Sequence, residues 1–163
     1  DEHGVRLLRY CLMTNHIHLV GIPARENSLS ALMRRTQREH SKHINEKYQR
    51  GGHLWQGRFY SCPMDLDHTI NALCYVELNP VRARMLSCPW EYPWSSAKGH
   101  CGVQGDVLID LERWFKSYQD AEWRTLLRVQ AEERGFVELI REHTRRGRPL
   151  GAANYFSRKT SGR

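Results

Sequence analysis

The stretch YCLMTNHIHLVGIP, residues 10–23, constrains the fold more than any other part of this chain. Two strand-compatible runs, VRLLRYCLM from Val5 and HIHLVGI from His16, are separated only by Thr14 and Asn15 and closed by Pro23. A two-residue link between such runs predicts a β-hairpin, and proline does not continue a central strand. Side chains alternate along a strand, so His16 and His18 share one face, about 6.5–7 Å apart along the backbone, while Ile17 and Leu19 take the other. Two neutral imidazoles so placed suit a shared divalent ion, magnesium or manganese less naturally than a softer metal, and they need a third ligand. On spacing alone the pair reads more simply as polar residues on a solvent face.

Helical periodicity takes over after the hairpin. Residues 28–49, SLSALMRRTQREHSKHINEKYQ, place Leu29, Leu32, Met33 and Ile44 at helical spacing, with Ser28 as cap and Gly51 and Gly52 as the stop. Residues 53–64, HLWQGRFYSCPM, read as a strand interrupted at Gly57. A second helix follows over DLDHTINALCYVELNPVRARML, capped by Asp67, with Leu73, Tyr75 and Val76 close together. Pro80 has no N–H to donate to the turn around Val76, so this helix bends or ends there. SCPWEYPWSSAKGHCG, residues 87–102, reads as an ordered surface connection with Trp90 and Trp94 packed. LIDLERWFKSYQ and AEWRTLLRVQAEERGFVELIREH then read as amphipathic helices.

At 163 residues, with 40% hydrophobic and 26% charged residues, the composition is that of a soluble globular protein. No apolar run approaches the roughly 18 residues of a membrane helix and no secretory signal opens the chain, so no membrane partner and a cytoplasmic location are expected. Five widely spaced cysteines without a CxxC pair suggest reduced, mostly buried thiols. The 25 basic residues, 20 of them Arg, outnumber 18 acidic ones, and a balance of this kind favours a polyanionic partner.

The ordered strings YCLMTNHIHLV, GGHLWQGRFY, YVELNPVRA and GRPLG resemble the single-tyrosine histidine-hydrophobe-histidine transposases of IS200-like type, most closely the REP-associated tyrosine transposases. The resemblance implies an α+β, ferredoxin-like antiparallel sheet with helices on one face. It implies His16, His18 and Asn79 as ligands of Mg2+ or Mn2+, with Tyr75 as the catalytic nucleophile. The substrate implied is single-stranded DNA beside a REP-like hairpin, cut through a 5′-phosphotyrosine link by a monomer or homodimer. Asn79 lies four residues after Tyr75, so one helix face presents both, and Glu77 is a reserve ligand pointing elsewhere. Relative to the family, the opening DEHGVRLLRY looks like the end of a helix, the first strand is missing, and the C-terminus is shortened after Tyr155. A catalytic domain over residues 1–100 and a helical extension with a basic tail over 101–163 are expected.

DNA contacts are expected from a basic stripe on the first helix, Arg34, Arg35, Arg38 and Lys42, and from Trp55, Gln56 and Arg58 near the active face. Arg145, Arg146 and Arg148 are expected in a flexible basic arm. The rival expectation is a hairpin-binding module that performs no chemistry.

Overall fold

The computed structural model describes residues 4–115, 118–132 and 135–151. The fold is α+β, and its sheet is an antiparallel pair, β1 (Val5–Leu12) and β2 (Ile17–Pro23). Met13 N–H donates to His16 O at 2.9 Å, closing the two-residue turn at Thr14 and Asn15 that the sequence predicts. The opening segment is therefore strand from Val5 and not the end of a helix. Residues 94–96 occupy the other edge of β1: Leu12 N donates to Trp94 O, Ser96 N to Tyr10 O, and Cys11 bridges Ser95. That pairing satisfies backbone groups an open edge would leave exposed.

Helices follow: α1 (Ser28–Lys47), α2 (Leu66–Glu77), α3 (Asn79–Arg82), α4 (Ala97–His100), α5 (Leu111–Phe115), α6 (Asp120–Glu132) and α7 (Gly135–Arg146). Among the described residues no helix is long and apolar enough to cross a membrane. The caps differ from expectation. Asn27 is the N-cap of α1, and the Ser28 hydroxyl instead accepts from Arg25 N. Asp65, not Asp67, caps α2 by accepting from His68 N at 3.1 Å. Residues 53–63 form no strand; Trp55 Nε1 donates to Gln37 O, holding this loop on α1 in place of a partner strand. Of the helix expected after residue 121, the described residues form α6 and α7, and residues 133–134 between them lie outside the described residues.

The described chain divides into two compact units, residues 4–6 with 22–60, and residues 7–21 with those from 61 onward. In the first, Met33 and Ser28 are buried on α1. In the second, α2 is the organising element. One side of it joins a core of Cys11, Ala72, Tyr75, Val76, Tyr92, Val137 and Ile140. The other joins Leu73, Cys74, Leu78, Cys101, Trp123 and Leu127. Segments on both sides of residue 100 thus share these cores. The proline-rich connection is correspondingly interior: Tyr92, Ser95, Ser96, Ala97, His100 and Cys101 are buried, whereas Trp94 is 62% exposed and not packed.

A polar cluster is buried beside α2. The Glu77 carboxylate accepts from His100 Nδ1 at 2.5 Å, Ser96 Oγ at 2.9 Å and Trp123 Nε1 at 2.7 Å, and lies 3.0 Å from Arg9 Nε. Arg9 Nη1 donates to His100 Nε2 at 2.7 Å, and its guanidinium stacks on Trp114. Burial works against the Glu77 charge, but Arg9 and His100 outweigh it and hold the carboxyl below its usual range. Glu77 is therefore a structural anion tying α2 to β1, and no candidate for the reserve ligand.

Candidate active site

His16 and His18 flank the start of β2, one in the turn and one in the strand, and their rings converge. The two Nε2 atoms stand 3.0 Å apart. Asn15 Oδ1 lies 2.7 Å from His16 Nδ1, so that nitrogen donates and Nε2 keeps its lone pair. Burial, with the neighbouring His16, Arg141 and Arg82, pushes the His18 ring down to about 4, so His18 is neutral near pH 7. At their 3.0 Å separation the two Nε2 atoms share a hydrogen bond and are close enough for one divalent ion to be held by both. The pair therefore fits one edge of a divalent-cation site. Among the described residues no group of three or more His, Cys, Asp or Glu side chains surrounds such a site.

Tyr75 stands on α2 with its ring edge-on to His18, centroids 5.5 Å apart. Tyr75 as a whole is 8% exposed, set among the apolar side chains of α2, α7 and Cys11. The arginine that follows it on α3, Arg82, places its guanidinium carbon 5.0 Å from the Tyr75 ring centroid and donates from Nη1 to Tyr75 O at 2.7 Å.

Asn79 sits at the kink between α2 and α3. Proline at position 80 removes the N–H that would reach Val76 O, and the Asn79 amide fills that gap by donating to Val76 O at 3.3 Å and Tyr75 O at 2.9 Å. The amide nitrogen is thus spent on the backbone of its own helix, and Oδ1 is the atom left for an ion. The buried thiols of Cys11, Cys74 and Cys101 are pushed up to about 12, chiefly by burial, and are not nucleophiles near pH 7.

The expected DNA contacts fall in both units. Arg34, Arg35, Arg38 and Lys42 are exposed along α1, with Arg38 paired to Glu39 at 3.0 Å and Lys42 3.9 Å from Glu46. Trp55 is packed on α1, 5.4 Å from the His40 ring, while Gln56 and Arg58 are exposed. Arg145 and Arg146 form the last turn of α7, and Leu150 bridges to Met64, so residues 145–150 are not the flexible arm expected. Gly147 allows this by turning the chain at φ +60°. The tail from residue 152, including the expected shortening after Tyr155, lies outside the described residues.

Sequence reasoning missed Asn15, Arg82 and Arg141. The first was legible as the polar neighbour of His16; the others depend on how α3 and α7 pack.

The protein is thus of the α+β class, with a β-hairpin that carries paired imidazoles faced by a helix-borne tyrosine. Residues 1–79, just under half of the chain, match the model of the family described as transposase IS200 like, and this segment is similar to that family. The match suggests a DNA-cleaving enzyme with a transposase function. Neither a curated protein nor a solved structure matches the chain.

Proposed function

We propose that this protein is a divalent-metal-dependent endonuclease and strand transferase acting on single-stranded DNA beside a REP-like hairpin. The observation that carries the reading is the convergence of the His16 and His18 nitrogens, 3.0 Å apart, beside the edge of the Tyr75 ring. His16 and His18, with Asn79 Oδ1 as third donor, would hold Mg2+ or Mn2+. A bound ion supplies charge neutralisation at the phosphate and alignment of the leaving oxygen. Tyr75 Oη attacks phosphorus in line: the Oη–P bond forms, the P–O3′ bond breaks, the phenol proton is released and the leaving oxygen takes one up as a 3′ hydroxyl. The bond energy stays in the 5′-phosphotyrosine, so a DNA hydroxyl reverses the step and joins strands without ATP.

Exposed Arg34, Arg35, Arg38 and Lys42, with Gln56, Arg58, Arg145, Arg146 and Arg148, supply the phosphate contacts that hold a strand nonspecifically. Trp55 keeps its ring partly accessible for stacking. The burial of Tyr75 favours one further reading, a hairpin-binding module without chemistry. Incubation with hairpin-bearing single-stranded DNA and Mn2+ or Mg2+ separates the two. The enzyme gives a covalent protein–DNA adduct that disappears with Tyr75→Phe and with chelation. Binding without an adduct leaves the module.

A further inference from the structure

Two arginines, Arg82 beside the tyrosine and Arg141 on α7, have no place in the mechanism above. Arg82 extends from α3 over the Tyr75 ring, with its Nη1 on Tyr75 O and its buried Nε without a hydrogen-bond partner. A guanidinium donor left unmatched in the interior is costly unless an acceptor arrives. Arg141 extends from α7, where the preceding Ile140 is packed into the same core as Tyr75. The charges acting most strongly on His18 and Arg82 include Arg141, and none belongs to a carboxylate. Glu142, the acidic neighbour of Arg141 in sequence, is engaged by Arg146 at 2.8 Å. Arg82 thus lies over the phenol, and Arg141 is close enough to His18 and Arg82 for its charge to act on both.

We propose that Arg82 and Arg141 form a guanidinium clamp on the non-bridging oxygens of the phosphate that Tyr75 attacks, so that α7, beyond the family-matched segment, completes the site. The inference rests on the endonuclease reading. It assigns substrate contacts to residues from two helices that the histidine–tyrosine pattern does not include. Guanidinium suits this role because its planar fork matches paired phosphate oxygens.

The test first maps the linkage that the wild-type protein cleaves. A methylphosphonate, which replaces one charged oxygen with a neutral methyl group, is then placed at that linkage. Binding is measured in a Tyr75→Phe background, where no reaction intervenes. With both arginines present, the methylphosphonate weakens binding about tenfold or more. Arg141→Gln, at an exposed position that tolerates the change, and Arg82→Gln each shrink that difference, and Arg82→Lys restores part of it. A merely structural arginine would weaken both DNAs alike. An unchanged phosphate-to-methylphosphonate ratio in both Gln variants overturns the clamp while leaving the endonuclease reading intact. A wild type that cleaves no linkage overturns the reading and the clamp together.

Discussion

Replacing Glu77 with glutamine changes almost no volume and removes one charge from a fully buried position. In the native cluster Oε1 serves His100, Ser96 and Arg9, and Oε2 serves Trp123. An amide cannot reproduce this. If its oxygen faces His100 and Ser96, its NH2 meets the Trp123 N–H; turned over, it meets the other two donors. In either orientation Arg9, 2% exposed, loses its counter-charge. Removing one partner of a buried pair costs about 3–5 kcal/mol, a large share of the roughly 5–15 kcal/mol that holds a domain together. For a chain of this length about 4 kcal/mol corresponds to a melting temperature lower by roughly 8–16 °C. Urea unfolding followed by circular dichroism measures the change for Glu77→Gln. Because Glu77 is two residues beyond Tyr75 and Arg9 lies on β1, the variant also slows adduct formation at temperatures where it is folded. A Glu77→Gln protein within about 0.5 kcal/mol of wild type would refute the buried ion pair.

Three further outcomes are expected. Burial holds the His100 ring below its ordinary value of 6.5 despite Glu77, so below that pH the unfolded chain takes up a proton that the folded chain refuses. Stability therefore falls on acidification, by up to about 1.4 kcal/mol per pH unit for this group. Glu77, held low by Arg9 and His100 against its burial, adds a second loss below its ordinary value of 4.5. Unfolding free energies measured from pH 7 to pH 4 check this: His100→Gln lowers the slope below pH 6.5, and a flat wild-type profile contradicts it. Asn15→Ala frees the His16 ring and weakens Mn2+ binding by about 10-fold, read by calorimetry, whereas unchanged affinity shows that Asn15 does not orient the ligand. Asp65→Ala removes the α2 cap and the His68 contact and costs about 1 kcal/mol or more in urea unfolding. The same substitution at Asp67 has a much smaller effect.

The hairpin, the paired histidines and the tyrosine helix are legible in the residues alone, because each is written in local chemistry. Alternation places His16 and His18 on one face, a two-residue link forces the strands together, and Pro80 breaks the helix where its N–H is missing. The basic stripe on α1 was legible for the same reason. The remaining features depend on packing between distant segments. Residues 87–102 looked like a surface loop because their prolines and glycines carry no period, yet they cover the edge of β1 and supply Ser96 and His100 to Glu77. GRPLG looked like a flexible arm because charge and glycine say nothing of the strand-like partner at Met64. Whether Arg82 and Arg141 meet at Tyr75 depends on how α3 and α7 pack against α2, and side chains separated by some sixty positions have no local pattern that brings them together.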